Sequence, residues 1–131
     1  MAAEAAVQTV DRPQTASDDG LTLSDVRDLL EGEFCWVSDP SLRVKEIGAA
    51  DLMSDVLALS RPGMLLLTGL NNAQAVRTAA IADLAGIVFV RGKRPSEEVL
   101  ALAREKGIPV MTTAFTMFQA AGRLYVAMRG G

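Results

Sequence analysis

Short unbroken apolar runs alternate along this chain with longer stretches in which apolar positions recur every three or four residues. The runs are residues 64–67, 87–90 and 108–111, with a further short one, "FCWV", at 34–37. A membrane span needs about 20 apolar residues, so these runs read instead as strands covered on both faces. The stretches between them read as helices. Leu52, Met53, Val56 and Leu57 line one side of a helix over about residues 49–59. Others are expected over 73–84, 97–106 and 115–121. Pro62 and Gly63 separate the first of these from the strand that follows, because Pro62 disfavours helical geometry at Arg61 and Gly63 permits the turn. A first helix opens at "LTLSDVRDLLEG": Thr22 is placed to cap it, Asp25 to answer the cap, and Leu21 and Val26 to pack as a staple. Val26, Leu29 and Leu30 form its apolar face, and Gly32 ends it. "SLRVKEI" offers one more strand, and "RLYVAMRGG" suggests an edge strand before a frayed end.

Apolar strands alternating with helices of about ten residues predict a small three-layer α/β domain, with a mainly parallel sheet flanked by helices. The domain is expected over residues 20–131. Residues 1–19 are rich in Ala, Thr, Ser and Asp, cannot bury enough apolar surface to offset ordering, and are expected to form a flexible tail, with a short arm crossing onto a partner subunit as the alternative.

In such a sheet ligands bind beyond the carboxyl ends of the strands. Three turns fall there: "TGLNN", "RGKRPS" and "TTA". Thr68, Asn71, Asn72, Thr112 and Thr113 bring hydroxyl and amide groups, Arg91, Lys93 and Arg94 bring positive charge, and Ser96 opens a helix. Exposed helix amides beside arginine suit a carboxylate or phosphate. The competing reading is structural. Asn72, Ser96 and Thr113 are ordinary helix caps, and the basic residues then stay in solvent.

Composition narrows the chemistry. The 131 residues suit one domain, and 16 Asp and Glu against 13 Lys and Arg give no basic field for nucleic acid or anionic lipid. With one cysteine and no histidine, there is no disulfide within the chain, no imidazole base and no Cys/His metal cluster. No signal peptide or long apolar segment is evident, which favours a cytoplasmic location. Neither "TGLNNAQA" nor "RGKRPS" has the glycine spacing of a dinucleotide fingerprint or a phosphate loop. Cys35 reads as a small buried hydrophobe, and no serine sits in a nucleophile elbow. No catalytic residue, metal site or cofactor is expected. Asp51 and Asp55, four apart, are placed on one helical face, and Arg77 lies beside an apolar stripe of Val76, Ala80 and Leu84. Arg77 either extends into solvent or meets Asp51 or Asp55 across a subunit interface.

The stretch from Leu21 to Tyr125 resembles a DRTGG domain. The resemblance rests on "DLMSDV" at 51–56, the Gly86-to-Gly92 strand with "GKRPSEEV", and "GIPVMTT" followed by "AAGRLY". It departs from the motif that names the family: Lys45 and Glu46 stand about where a Thr-Gly would be expected before Asp51. Such domains are similar to the N-terminal domain of HPr kinase/phosphorylases and occur in phosphotransacetylases, beside CBS pairs, and alone. The resemblance implies an accessory, regulatory module that pairs with itself and does not catalyse. Stand-alone members near genes for iron-only hydrogenases and small ATP-binding regulators imply a cytoplasmic, redox-related enzyme as partner. The expectation is therefore a homodimeric regulatory or assembly module, with a sensor of a small anionic metabolite or nucleotide as the alternative and an enzyme as the least supported class.

Overall fold

The computed structural model describes residues 20–129; the tail expected at residues 1–19 lies outside them, as do Gly130 and Gly131. Strand β1 (Leu21–Thr22) leads into helix α1 (Leu23–Leu29), followed by β2 (Glu33–Trp36), β3 (Arg43–Val44) and β4 (Ile47–Ala49). Then come α2 (Met53–Leu59), β5 (Leu65–Thr68), α3 (Ala73–Ile81), β6 (Gly86–Phe89), α4 (Glu97–Lys106), β7 (Val110–Thr112) and α5 (Met117–Met128). The main sheet has the order β2-β7-β6-β5-β4, parallel from β4 to β7, with β2 antiparallel at one edge; β1 and β3 form a separate two-stranded pair. This is the expected three-layer α/β architecture.

The apolar runs are continuous because both faces of their strands are covered. On one face Leu65, Leu67, Val88, Val90 and Met111 pack against α1 and α5 through Leu23, Val26, Ala120 and Leu124. On the other, Leu66, Ile87, Phe89 and Val110 pack against α2, α3 and α4 through Met53, Val56, Val76, Ala79, Val99 and Ala103. The three crossovers between consecutive parallel strands thus place their helices on one side, as crossovers of a single hand require.

Local chemistry sets the helix ends. Thr22 and Asp25 form the expected reciprocal cap, each 3.0 Å from the other's backbone amide. At the far end of α1 the left-handed residue is Glu31 (φ 51), not Gly32. The Gly32 amide bonds back to Arg27 and that of Glu31 to Asp28, which is the six-to-one closure usually built with glycine. Gly32 serves a different need: a Cβ there would stand 2.6 Å from the Thr112 carbonyl oxygen on β7.

Several expectations are corrected. The 49–59 helix begins only at Met53, because Ala49 still pairs with Leu67 and the Ala50 amide donates to the Leu67 carbonyl, 3.1 Å away. Asp51 lies outside the helix, so it does not share a helical face with Asp55. The last helix does not stop at 121, and "RLYVAM" is not an edge strand: α5 runs to Met128, with Ala120, Leu124 and Ala127 buried at helical spacing. Its cap is Thr116, reciprocated by Gln119, and not Thr113.

Candidate functional site at the strand ends

The connection leaving β6 enters α4 on one face of the sheet, whereas the connection leaving β7 enters α5 on the other. Divergence of neighbouring loops opens a crevice in many α/β proteins and makes it their usual ligand site. Here the chain's own groups bridge it. The Arg91 amide donates to the Phe115 carbonyl and the Gly92 amide to the Thr113 carbonyl, both at 2.8 Å. The Thr112 hydroxyl donates to the Lys93 carbonyl at 2.6 Å. Arg91 and Gly92 adopt successive left-handed conformations (φ 59 and 71) that turn the loop inward.

The structure brings the polar residues singled out from sequence to this end of the sheet and gives most of them partners within the chain. Asn71 donates to the Arg94 carbonyl at 2.6 Å, tying the β5–α3 turn to the β6–α4 loop. Arg94 in turn pairs with Glu33, which the antiparallel β2 delivers opposite Thr112. Thr113, only 2% exposed, donates to the Leu30 carbonyl at 2.7 Å and accepts from the Phe115 amide at 3.2 Å. Asn72 and Ser96 cap α3 and α4 through the amides of Ala75 and Val99. Thr68 donates to Asp51 Oδ1 at 3.1 Å and accepts from the Leu70 amide, while the Gly69 amide reaches the same carboxylate oxygen at 2.7 Å.

One cation is held differently. A Cβ on Gly69 would stand 2.6 Å from an Arg91 guanidinium nitrogen, so that side chain lies flat across the Gly69 backbone. Among the described residues Arg91 forms no ion pair. Asp55, on α2, helps line a groove of about 350 Å³ beside Glu46, Arg61 and Met64, and Arg77 is exposed on α3. Away from the strand ends, Asp39 accepts hydrogen bonds from the Ser41 hydroxyl and amide, which hold its carboxyl below the usual range. The described residues contain no cluster of three or more metal-ligating Cys, Asp or Glu residues, and no helix among them is long and apolar enough to cross a membrane.

Glu33, Gly69 and the acceptor role of Asp51 were not among the features read from sequence, because each depends on which strands lie side by side. A second site was missed altogether. Between α5 and β4 lies an apolar groove of about 500 Å³, lined by Ile47, Gly48, Ala49, Gly122, Tyr125 and Met128 among others. Phe118, also on its rim, is 87% exposed and Tyr125 is 63% exposed. The signal was present as Phe118, Gly122 and Tyr125 at helical spacing, and it becomes readable only if the helix continues past residue 121.

The chain thus combines a three-layer α/β fold, strand-end polar groups largely engaged by one another, and exposed aromatic rings flanking a groove. The chain belongs to the DRTGG domain family, whose model matches residues 25–127. It is similar to the solved CBS and DRTGG domains of the regulatory region of Clostridium perfringens pyrophosphatase, a structure complexed with the activator diadenosine tetraphosphate. The TM-score is 0.70 at 19% identity, over 88% of this chain and 50% of that one, so this likeness concerns the fold. The chain spans half the length of that structure. No curated protein was found to match.

Proposed function

We propose that this domain is a non-catalytic regulatory or assembly module that acts by pairing with a second copy and by contacting a protein partner. The observation that carries the reading is the exposed aromatic stripe of Phe118 and Tyr125 beside an apolar groove. A lone domain gains nothing from holding two large rings in water, whereas an interface gains most from buried aromatic anchors. Asp55 and Arg77, exposed on α2 and α3 in the opposite layer, are available to a cytoplasmic, redox-related enzyme as partner. The sequence likeness to the N-terminal domain of HPr kinase/phosphorylases belongs to this reading. Light scattering at micromolar concentrations should report a dimer, and Phe118→Asp should convert it to a folded monomer whose melting temperature, unlike that of the wild type, does not rise with protein concentration. A monomeric wild-type mass at every concentration would sink the proposal.

A sensor of a small anion or nucleotide is the second reading, and Arg91 favours it. Its guanidinium lies beside the amide-rich β5–α3 turn with Thr68, Asn71 and Asn72 close in sequence, and the Clostridium perfringens regulatory region is complexed with a nucleotide activator. Calorimetric titration with adenine nucleotides, diadenosine tetraphosphate and carboxylate metabolites should then show saturable binding that Arg91→Ala weakens by about tenfold or more, as expected for loss of a charged hydrogen bond. Binding insensitive to Arg91→Ala would exclude this site, and absence of binding across the panel would remove the sensor reading.

A further inference from the structure

The edge strand β4 and the helix α5 beside it carry two separate patterns, and both are self-complementary about nearly the same point. In the parallel ladder between β4 and β5 the Leu65 amide donates to Glu46 and the Ala50 amide to Leu67. Alternate residues bond to a parallel neighbour, so Gly48 shares the orientation of Glu46 and Ala50 towards β5. Ile47 and Ala49 therefore direct their amides and carbonyls away from the sheet. Among the described residues no strand lies on that side.

Two outward-facing residues flanking one inward-facing residue form a unit that pairs antiparallel with its own copy. Ile47 meets the partner's Ala49, Ala49 meets the partner's Ile47, and the two Gly48 residues face each other at the axis. The same register sets Lys45 opposite the partner's Asp51, two exposed groups of opposite charge. Asp51 uses Oδ1 for Thr68 and Gly69, and Oδ2 accepts no hydrogen bond from the described residues.

Helix α5 repeats this symmetry. Its groove-facing stripe runs large, small, large as Phe118, then Ala121 and Gly122, then Tyr125. An antiparallel copy sets Phe118 against the partner's Tyr125, and the small residues at the centre allow the helices to come close. Gly48 and Gly122 line one groove, so the centres of the two patterns lie side by side. Four aromatic rings in such a contact bury roughly 600–1,000 Å², about half of the roughly 1,600 Å² of a specific interface, and the paired strand edges add to it.

We infer that two copies join through β4 in the antiparallel register centred on Gly48, with α5 packed on its own copy, to give one continuous ten-stranded sheet. The inference rests on the self-association reading above and specifies its face and register.

The test uses the full chain in a Cys35→Ser background. A cysteine introduced by Gly122→Cys has open space around its Cβ and does not strain the lone fold. It should couple to the same residue of the partner under mild oxidation or with a short bis-maleimide, whereas Arg104→Cys, exposed on the opposite layer, should not. Lys45→Glu, which sets like charges opposite each other, should weaken association by about tenfold or more. A dimer by light scattering that fails to cross-link at Gly122, or that tolerates Lys45→Glu unchanged, overturns this face while leaving self-association intact. A monomeric mass throughout overturns both.

Discussion

Replacing Phe89 with alanine is expected to cost about 3–5 kcal/mol, a large part of the roughly 5–15 kcal/mol that a domain of this size commands. Phe89 ends the central strand β6 with no exposed surface, and its ring belongs to the core that Val76, Ala79, Val99 and Ala103 form beneath α3 and α4. Strands on either side fix the backbone at this position, so the helices cannot collapse into the space the ring leaves. The cavity term then adds to the lost transfer energy. Urea unfolding followed by circular dichroism measures the cost directly; a loss below about 1 kcal/mol would mean that α3 and α4 close over the vacancy.

Thr113→Val should destabilise the domain by about 2–4 kcal/mol, since roughly 1–3 kcal/mol is lost for each buried polar group left without a partner. The substitution keeps the shape of the side chain and removes one oxygen, yet it strands two groups: the Leu30 carbonyl that Thr113 donates to and the Phe115 amide that it accepts. Those partners lie on opposite sides of it in the chain, so this hydroxyl fixes the end of α1 to the approach to α5. Ser96→Ala, which removes only a cap, supplies the comparison at about 1 kcal/mol. Should Thr113→Val melt like the wild type and instead abolish binding of an anion, the residue would have to be reassigned from structural support to ligand contact.

Fold class was legible because the three central strands are covered on both faces and so appear as uninterrupted apolar runs, with caps at Thr22, Asn72 and Ser96 marking where helices begin. The end of the chain was not. "LYV" has strand-like composition, and only packing against both the sheet and α1 through Leu124 and Ala127 decides for helix. That error also concealed the aromatic stripe, which needs Phe118 and Tyr125 on one continuous element. At the strand ends, residue types pointed to the correct turns but not to their roles. Whether Thr112 faces a metabolite or the Lys93 carbonyl depends on how two loops distant in sequence meet, and no local pattern encodes that meeting.

The strand order has a consequence for how the molecule is assembled over time. Strands β5, β6 and β7 each lie beside their predecessor, so three short crossovers can close one after another as the chain lengthens. Strand β1 finds β3 nearby, but β2 has no such neighbour at hand. Strand β2 pairs only with β7, Glu33 opposite Thr112, and α1 shares its core with α5. Closing that long loop is entropically the most demanding step and gives no return until its distant partner exists. During synthesis, therefore, the core around Leu23, Val26 and Leu30 lacks Ala120, Leu124 and Ala127 until α5 has left the ribosome. Helix α5 acts as the closing latch, and the aromatic face it carries is completed last, after the sheet it belongs to has formed.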